Sequence, residues 1–272
     1  MGYAVPMTVN ATVTFVGNAT TVLRLGEFTL LTDPAFGPAG SRVYLGKGAW
    51  TRRLKDPALE VVDLAALDGV VLSHLHGDHF DRFARRALPV ELPIVTTEAA
   101  ARTLRRRYHF TASDGLATWD SRAWTRGDQR LRITSVPGKH GPGLVDRMLP
   151  DVMGTVLELT VLGRRALRLY ITGDTLYGPW LSDIPRRCGE IDAMLIHLGG
   201  TRLMGLLLTM DDKQGVEATH MIRPGLTVPI HNDDYRVQKT PMSAYLARAR
   251  EQGLTGIKPI ARGATLDLPV RV

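Results

Sequence analysis

Short runs of apolar and β-branched residues alternate with turn residues along the first third of the chain. Residues 12–16, 21–25 and 28–32 form three such runs. They are separated by Gly17-Asn18 and by Gly26-Glu27, and residue pairs of this kind favour tight turns. The pattern therefore predicts a strand meander at the start of the fold.

Strand-like and helical patterns follow each other along the rest of the chain. Residues 70–73 are a continuous apolar run, typical of a strand buried on both faces, and residues 80–88 have helical spacing until Pro89. Further strands are predicted at residues 93–96, 131–136, 155–162, 166–172, 191–196 and 226–230, and further helices at residues 97–108, 210–222 and 241–251. Two groups of strands, each with helices, predict an α/β fold in which two sheets pack face to face with helices outside, a four-layer αββα sandwich.

Length and composition indicate a compact protein. A chain of 272 residues with 44% hydrophobic and 22% charged residues is expected to form one domain over residues 1–272. The sequence has no run of eighteen apolar residues, and its amino-terminal segment lacks the features of a secretory signal, which predicts a cytoplasmic location. Cys188 is the single cysteine, so any metal site must use nitrogen and oxygen ligands.

The formal net charge of +7 favours anionic partners. The basic residues are scattered over amphipathic helices such as residues 99–108, so the charge alone is a weak indicator. Residues 36–57 are rich in glycine and basic residues and form the longest segment without a periodic signal, which predicts a lid or substrate loop. The aromatic and basic residues within 43–53 leave a membrane-interface role open as well.

Histidines and aspartates are concentrated directly after the buried strand at residues 70–73. His74, His76, Asp78 and His79 lie within six residues, a density that few structural demands produce. Imidazole nitrogens and carboxylate oxygens suit zinc or a harder divalent ion.

Three later residues also follow apolar strands, and these are His140, Asp174 and His231. Strand ends on one edge of a sandwich bring distant residues together on a rigid scaffold. The spacing therefore predicts that all seven side chains meet at one metal site.

The pattern His-x-His-x-Asp-His, a downstream histidine, Gly-Asp-Thr and a final histidine resembles the metallo-β-lactamase superfamily over nearly the whole chain. Within it, Phe-Val-Gly-Asn-Ala-Thr at 15–20, Leu-Thr-Asp-Pro at 31–34 and Asp81 are similar to the branch that contains ascorbate-6-phosphate lactonase and N-acyl-phosphatidylethanolamine phospholipase D. The resemblance implies a hydrolase with two divalent ions, zinc by default and manganese second, that share a hydroxide.

The resemblance also implies a role for each ligand. His74, His76 and His140 would hold one ion, Asp78, His79 and His231 the other, and Asp174 would bridge them. Asp78 would align the hydroxide for catalysis. Asp33 would orient the histidine loop, and Asp81 would do the same or cap the following helix.

Other residues are weaker candidates. His197 ends another strand and is either a catalytic proton donor, a substrate contact or an ordinary residue of the rim. The candidate substrate contacts are Asn18, Lys139, Tyr177, Arg202 and Tyr235. The related branch commonly has histidine at the position of Asn18, so a contact there does not follow from the resemblance.

The leading hypothesis is hydrolysis of a small anionic ester, either a phosphodiester or a lactone. A nucleic-acid phosphodiesterase is the alternative that the positive charge favours, but the stretch between Asp174 and His231 is too short for the extra domain of the processing nucleases.

The hypothesis of a β-lactam hydrolase is weakened by the missing secretory signal. A binding module without activity is disfavoured because all seven ligand positions are filled. Nucleic acid is therefore an unexpected partner, whereas membrane association and a homo-oligomer stay open.

Overall fold

The computed structural model describes residues 9–46, 48–203 and 205–271. The strands are β1 (Ala11–Gly17), β2 (Thr20–Leu25), β3 (Phe28–Thr32), β4 (Arg42–Tyr44), β5 (Trp50–Arg52), β6 (Gly69–Val71), β7 (Ile94–Thr97), β8 (Ser113–Leu116), β9 (Ser121–Arg126), β10 (Gln129–Pro137), β11 (Met153–Val161), β12 (Arg164–Ile171), β13 (Ala193–His197), β14 (Arg202–Leu203), β15 (Leu206–Leu207), β16 (Leu226–Ile230) and β17 (Thr265–Asp267). The α-helices are α1 (Arg82–Ala87), α2 (Glu98–Tyr108), α3 (Asp183–Cys188), α4 (Asp212–Ile222) and α5 (Met242–Glu251). Short 3-10 helices lie at Val61–Asp63, Gly143–Met148 and Pro179–Ser182.

Two large mixed sheets form the centre of the fold. The first has the strand order β17-β1-β2-β3-β6-β7-β8, and the second has the order β16-β13-β12-β11-β10-β9. Strands β3, β6, β7 and β8 run parallel, as do β12, β13 and β16. The predicted meander is confirmed, since β1, β2 and β3 pair as successive antiparallel strands.

The main core lies between the two sheets. Val13 and Leu30 from the first sheet pack in one buried cluster with Leu157, Leu169 and Val228 from the second. Because side chains alternate between the two faces of a strand, each sheet also presents an apolar outer face. Burying both faces requires a further layer on each side.

Helices supply these outer layers. Ala84 of α1 and Leu104 of α2 pack on the outer face of the first sheet, whereas Ile184 of α3, Val216 of α4 and Tyr245 of α5 pack on that of the second. The predicted four-layer αββα sandwich is thereby confirmed. Among the helices that the structure describes, none combines the length and the apolar character needed to cross a membrane.

The segment at residues 36–57 has more structure than the sequence pattern indicated. It contains the hairpin of β4 and β5, whose strands are only three residues long and therefore too short to give a periodic signal. The hairpin is held against the histidine segment, because the backbone N–H of Gly77 donates to the carbonyl oxygen of Tyr44 at 3.0 Å. A methyl group added to Gly77 would lie 2.8 Å from that oxygen, so this close approach requires glycine.

Helix α1 begins immediately after the histidine segment. Asp81 precedes it and accepts hydrogen bonds from the backbone N–H groups of Phe83 at 2.9 Å and Ala84 at 2.8 Å. Its other carboxylate oxygen accepts from the N–H of Gly37 at 2.6 Å. Of the two roles expected for Asp81, the structure shows the helix cap, and the same side chain ties residues 36–57 to the start of α1.

Replacing Asp81 therefore affects stability. We expect Asp81→Ala to lower the free energy of unfolding by about 1–3 kcal/mol, since it removes a helix cap and leaves a buried N–H without an acceptor. Asp81→Asn keeps an oxygen acceptor and is the matched control, with a smaller loss. Urea unfolding of metal-free protein measures both values, and equal losses for the two variants would contradict the capping role.

Candidate metal centre

Loops at the carboxyl ends of several strands meet at one edge of the sandwich. His74 follows β6, His140 follows β10, Asp174 follows β12 and His231 follows β16. The seven predicted ligands are at most 6% exposed to solvent, and these are His74, His76, Asp78, His79, His140, Asp174 and His231. The structure thus brings together every residue that the sequence motif singled out.

Three histidines form a first cluster. Nδ1 of His76 lies 2.9 Å from Nε2 of His74 and 3.1 Å from Nε2 of His140. Burial lowers the pKa of all three imidazoles, that of His76 to about 3, so the rings are neutral at pH 7. Neutral imidazoles that point nitrogen atoms at one another are suited to share a cation.

Backbone contacts set the orientation of these rings. Nδ1 of His140 lies 3.1 Å from the carbonyl oxygen of Leu208, which can only accept, so Nδ1 carries the proton. The lone pair of His140 is then on Nε2, the nitrogen that faces His76. A histidine fixed in this way is preorganised as a metal ligand.

A second cluster contains Asp78, His79, Asp174 and His231. Nε2 of His79 lies 3.2 Å from Oδ2 of Asp174 and 3.7 Å from Oδ2 of Asp78. Nε2 of His231 lies 3.5 Å from both carboxylates. The Nδ1 of His231 faces the carbonyl oxygen of Leu198 at 3.0 Å, which leaves Nε2 directed at the cluster.

Several atoms of the second cluster are buried without a hydrogen-bond partner. Two of them are Oδ1 of Asp78 and Oδ1 of Asp174. Leaving carboxylate oxygens buried and unpaired is costly, and a divalent cation would satisfy them. The donor set and these unpaired atoms therefore fit a metal ion.

The carboxylates of the second cluster shift the pKa values of its histidines. Burial alone would lower the pKa of His79, but Asp174, Asp78 and Asp33 outweigh it and raise the pKa well above its usual value. The pKa of His231 is raised as well, because Asp174 and Asp78 outweigh its burial. A metal ion bound here would compete with protons for these histidines, so its binding would release protons to solvent.

Asp33 contacts the residue before the histidine segment and one of its histidines. Its Oδ1 accepts from the N–H of Ser73 at 2.7 Å, and its Oδ2 accepts from the Ser73 hydroxyl at 2.9 Å and lies 3.1 Å from Nδ1 of His79. Burial raises its pKa, but His79 and His197 outweigh burial and lower it to about 2. Asp33 is thus ionised and lies where the predicted orienting role requires.

His197 lies beneath the ligands and away from solvent. Its ring is fully buried, its Nδ1 lies 3.3 Å from the Thr172 hydroxyl, and its Nε2 lies 3.4 Å from Oδ2 of Asp33. Asp33, His79 and His197 together form a third group of side chains that could hold a cation. The expectation that His197 donates a proton to substrate stays a prediction. The strand-end position gave no information on which way the ring would turn.

Asn18 is also buried, although the sequence suggested a substrate contact. Its amide nitrogen donates to the carbonyl oxygen of Asp78 at 2.9 Å, and its amide oxygen accepts from Gln238 at 2.8 Å. Its backbone carbonyl accepts from the N–H of His231 at 2.8 Å. Both polar ends of the side chain are bonded to protein, so the position fits alignment of the ligand loops and not a substrate contact.

The other suggested substrate contacts differ in accessibility. Tyr235 is 1% exposed, and its ring packs near the buried guanidinium of Arg53, so it does not reach the surface. Lys139 is exposed over the ring of Trp180, and Arg202 is exposed and lies 3.5 Å from Asp211. Tyr177 is half-buried against the cluster of the second helix layer. Contacts with substrate by these last three residues stay predictions.

Sequence reasoning missed the parts of the site that the backbone supplies. The carbonyl oxygens of Leu198 and Leu208 orient two ligands, and a backbone acceptor leaves no trace in residue identity. It also missed the buried pair of Arg53 and Asp234, whose charged atoms lie 3.6 Å apart.

Family comparison agrees with this geometry. A family model for the β-lactamase superfamily domain matches residues 29–232, which include all seven predicted ligands. The chain belongs to the metallo-β-lactamase superfamily. The resemblance to the narrower lactonase and phospholipase branch stays a prediction.

Relatives in the metallo-β-lactamase superfamily have modest identity to this chain. An uncharacterised protein of Mycobacterium tuberculosis is 25% identical over 259 residues, which are 91% of this chain and 66% of that protein. The chain therefore spans just under two thirds of the length of that relative. A UPF0173 metal-dependent hydrolase of Anaeromyxobacter is 25% identical over 218 residues, which are 78% of this chain and 77% of that protein.

A solved structure has the same fold. The isothiocyanate hydrolase from Delia radicum gut bacteria superposes with a TM-score of 0.78 at 23% identity, covering 96% of this chain and 100% of that one. The shared fold thus extends over 96% of this chain.

Removing the carboxylate beneath the ligands tests its orienting role. We expect Asp33→Asn to weaken zinc binding about 10- to 100-fold, since supporting groups of this kind typically contribute that much to metal affinity. The amide can still accept from Ser73 but cannot hold charge beside His79. Competition with a chromogenic chelator measures the affinity, Asp114→Asn at the exposed ion pair with Arg122 is the control, and unchanged zinc affinity would refute the role.

Proposed function

We propose that the chain is a dinuclear metal-dependent hydrolase that acts on a small anionic ester. The observation that carries the proposal is the adjacency of two buried clusters whose ligand atoms converge, the second of which has carboxylate oxygens without a hydrogen-bond partner. A third group, Asp33, His79 and His197, shares His79 with the second cluster. In this proposal the three-histidine cluster would hold one divalent ion and the cluster with two aspartates would hold the other. Asp174 would contact both ions.

The charge on Asp174 supports its proposed bridging position. Its negative charge acts on His74 and His140 of the first cluster as well as on His79 and His231 of the second. A carboxylate has two oxygens and can bind one ion with each. Nitrogen and oxygen donors without sulfur suit zinc first and manganese second.

Asp78 and Asp33 have different roles in the proposed hydrolysis. Two bound divalent ions would lower the pKa of water and polarise a carbonyl or phosphoryl oxygen. Asp78 offers two carboxylate oxygens, so one would hold an ion while the other accepts a hydrogen bond from the attacking water and orients it. Asp33 holds His79 in place during this step, and the buried surroundings strengthen each electrostatic contact.

Surface charge supports an anionic substrate. The sequence has 34 basic and 27 acidic residues, and arginines are concentrated on the hairpin of β4 and β5 that contacts the histidine segment. A positive field near a metal centre raises the local concentration of anions. Phosphodiesters and lactones with an attached acidic group are the ester classes that this charge favours.

Metal content and turnover test the proposal together. We expect about two ions per chain by elemental analysis, because the site presents two clusters, and hydrolysis of at least one member of a panel of chromogenic phosphodiesters and lactones. An isothiocyanate belongs in the panel, since the structural neighbour hydrolyses that class. Asp78→Ala should lower kcat at least about 100-fold, because it removes both a ligand and the group that orients water.

The control is Asp114→Asn, which changes an exposed carboxylate at 2.8 Å from Arg122 and should leave kcat unchanged. Circular dichroism shows whether Asp78→Ala keeps the fold. Protein that binds no metal after reconstitution would refute the proposal, as would full turnover by Asp78→Ala.

Metal removal provides a measurement that needs no substrate. A ligand that binds only the folded state stabilises it by about 2.7 kcal/mol at a free concentration one hundred times its Kd. We therefore expect zinc to raise the Tm of chelator-treated protein by several degrees, and Asp174→Asn to lose most of this shift. An equal shift in both proteins would place the metal elsewhere.

A further inference from the structure

The hairpin of β4 and β5 has two chemically different faces. Val43 and Thr51 point inward and are buried, whereas their neighbours along each strand are exposed. Because side chains alternate along a strand, the outward face presents Arg42, Trp50 and Arg52 together. Trp50 is 62% exposed, which is unusual for so large an apolar ring.

Three arginines form a row across this surface. Arg42 lies directly opposite Arg52 in the hairpin register. On the other side of β5, a bridge pairs Arg53 with Tyr235, and the N–H of Arg236 donates to the carbonyl oxygen of Arg52 at 3.3 Å. Arg236 is therefore the next cross-strand neighbour of Arg52, and we refer to Arg42, Arg52 and Arg236 as the arginine row.

No carboxylate neutralises the arginine row. Within residues 9–46, 48–203 and 205–271, no aspartate or glutamate lies within ion-pair distance of its three guanidinium groups. The neighbouring Asp233 is paired with Lys55 at 2.6 Å, and Asp234 is buried beside Arg53 and Arg262. Like charges directly opposite each other on a sheet are destabilising, so the arrangement costs stability that an anion would restore.

The arginine row borders a cavity of suitable size. The cavity has a volume of about 660 Å³, within the range of roughly 300–1,000 Å³ for small-molecule pockets. Trp50 and Lys239 complete its wall beside the three arginines. Four cations and one aromatic ring, together with Thr51 and Val237, therefore line an open surface pocket large enough for a small molecule.

Both walls of the cavity connect to the candidate metal centre. The hairpin wall continues to Gly46, where an added methyl group would lie 3.6 Å from Nε2 of His76. The other wall belongs to the segment after His231, and Gln238 in that segment donates to the His231 carbonyl oxygen at 3.3 Å. A molecule in the cavity is thus adjacent to structure that carries ligands of both clusters.

We propose that the arginine row binds a phosphate group with two or more negative charges, carried by a soluble small molecule that is the substrate of the metal centre. Arginine forks match phosphate oxygens in pairs, which lysine cannot do. Trp50 would contact the organic part of the same molecule. The assignment to the substrate rests on the proposed hydrolase, whereas binding of phosphate does not.

Calorimetry on metal-free protein tests the binding separately from catalysis. The probe is inorganic pyrophosphate at low ionic strength. Because the protein is metal-free, metal ions cannot contribute to the binding. We expect one pyrophosphate per chain, and Arg52→Gln should weaken it about tenfold or more through loss of a charge-assisted contact. Arg24→Gln, an exposed strand arginine of β2, is the matched control and should bind as the wild type does.

Three results would overturn the proposal. The first is the absence of saturable binding, and the second is equal binding by wild type and Arg52→Gln. The third is binding to vesicles that contain phosphatidic acid without binding to pyrophosphate, which would assign the surface to a lipid headgroup.

The experiments distinguish a failure of the proposed hydrolase function from a failure of the proposed phosphate site. If the chain binds pyrophosphate but hydrolyses no ester, the arginine row stands as a phosphate site and only its assignment to a substrate fails. If an ester bearing a phosphate group is hydrolysed, Arg52→Gln should raise KM about tenfold with little change in kcat. A fall in kcat alone would exclude a binding role for the arginine row.

Discussion

The cost of burying charged and polar groups governs this structure. Imidazoles and carboxylates crowd one edge of the sandwich at nearly zero solvent exposure, and several of their atoms have no partner in the protein. Such an arrangement persists only where the surrounding scaffold is stiff and a compensating charge is available. The packed sheets provide the stiffness, and protons or cations provide the charge.

Two residues outside the seven predicted ligands connect the segments at this edge of the sandwich. Asp33 receives both hydrogen bonds of Ser73, and Asn18 joins the loop of Asp78 to the loop of His231. Each contact links segments far apart in sequence, so the strands position the ligands only together with these cross-links. A change at either residue would act on geometry and not on the donor set.

The sequence was sufficient for the sandwich and for all seven clustered residues. Strong signals carried these predictions, since buried strands are continuous apolar runs and His74 to His79 form a dense motif. The sequence did not predict the hairpin of β4 and β5, because three-residue strands are too short to show an alternation of apolar and polar residues. The burial of His197 and Asn18 was equally hidden, because the direction of a side chain at a strand end depends on tertiary contacts.

The hydrogen bonds of Asn18 would make the binding of two metal ions cooperative. The residue holds the backbone of Asp78 at one end and that of His231 at the other, so two separate loops share one rigid connection. The loop of Asp78 also carries His74 and His76 of the other cluster. Ordering by a first ion would therefore prepare the geometry for a second, and linkage makes such cooperativity reciprocal between the two positions.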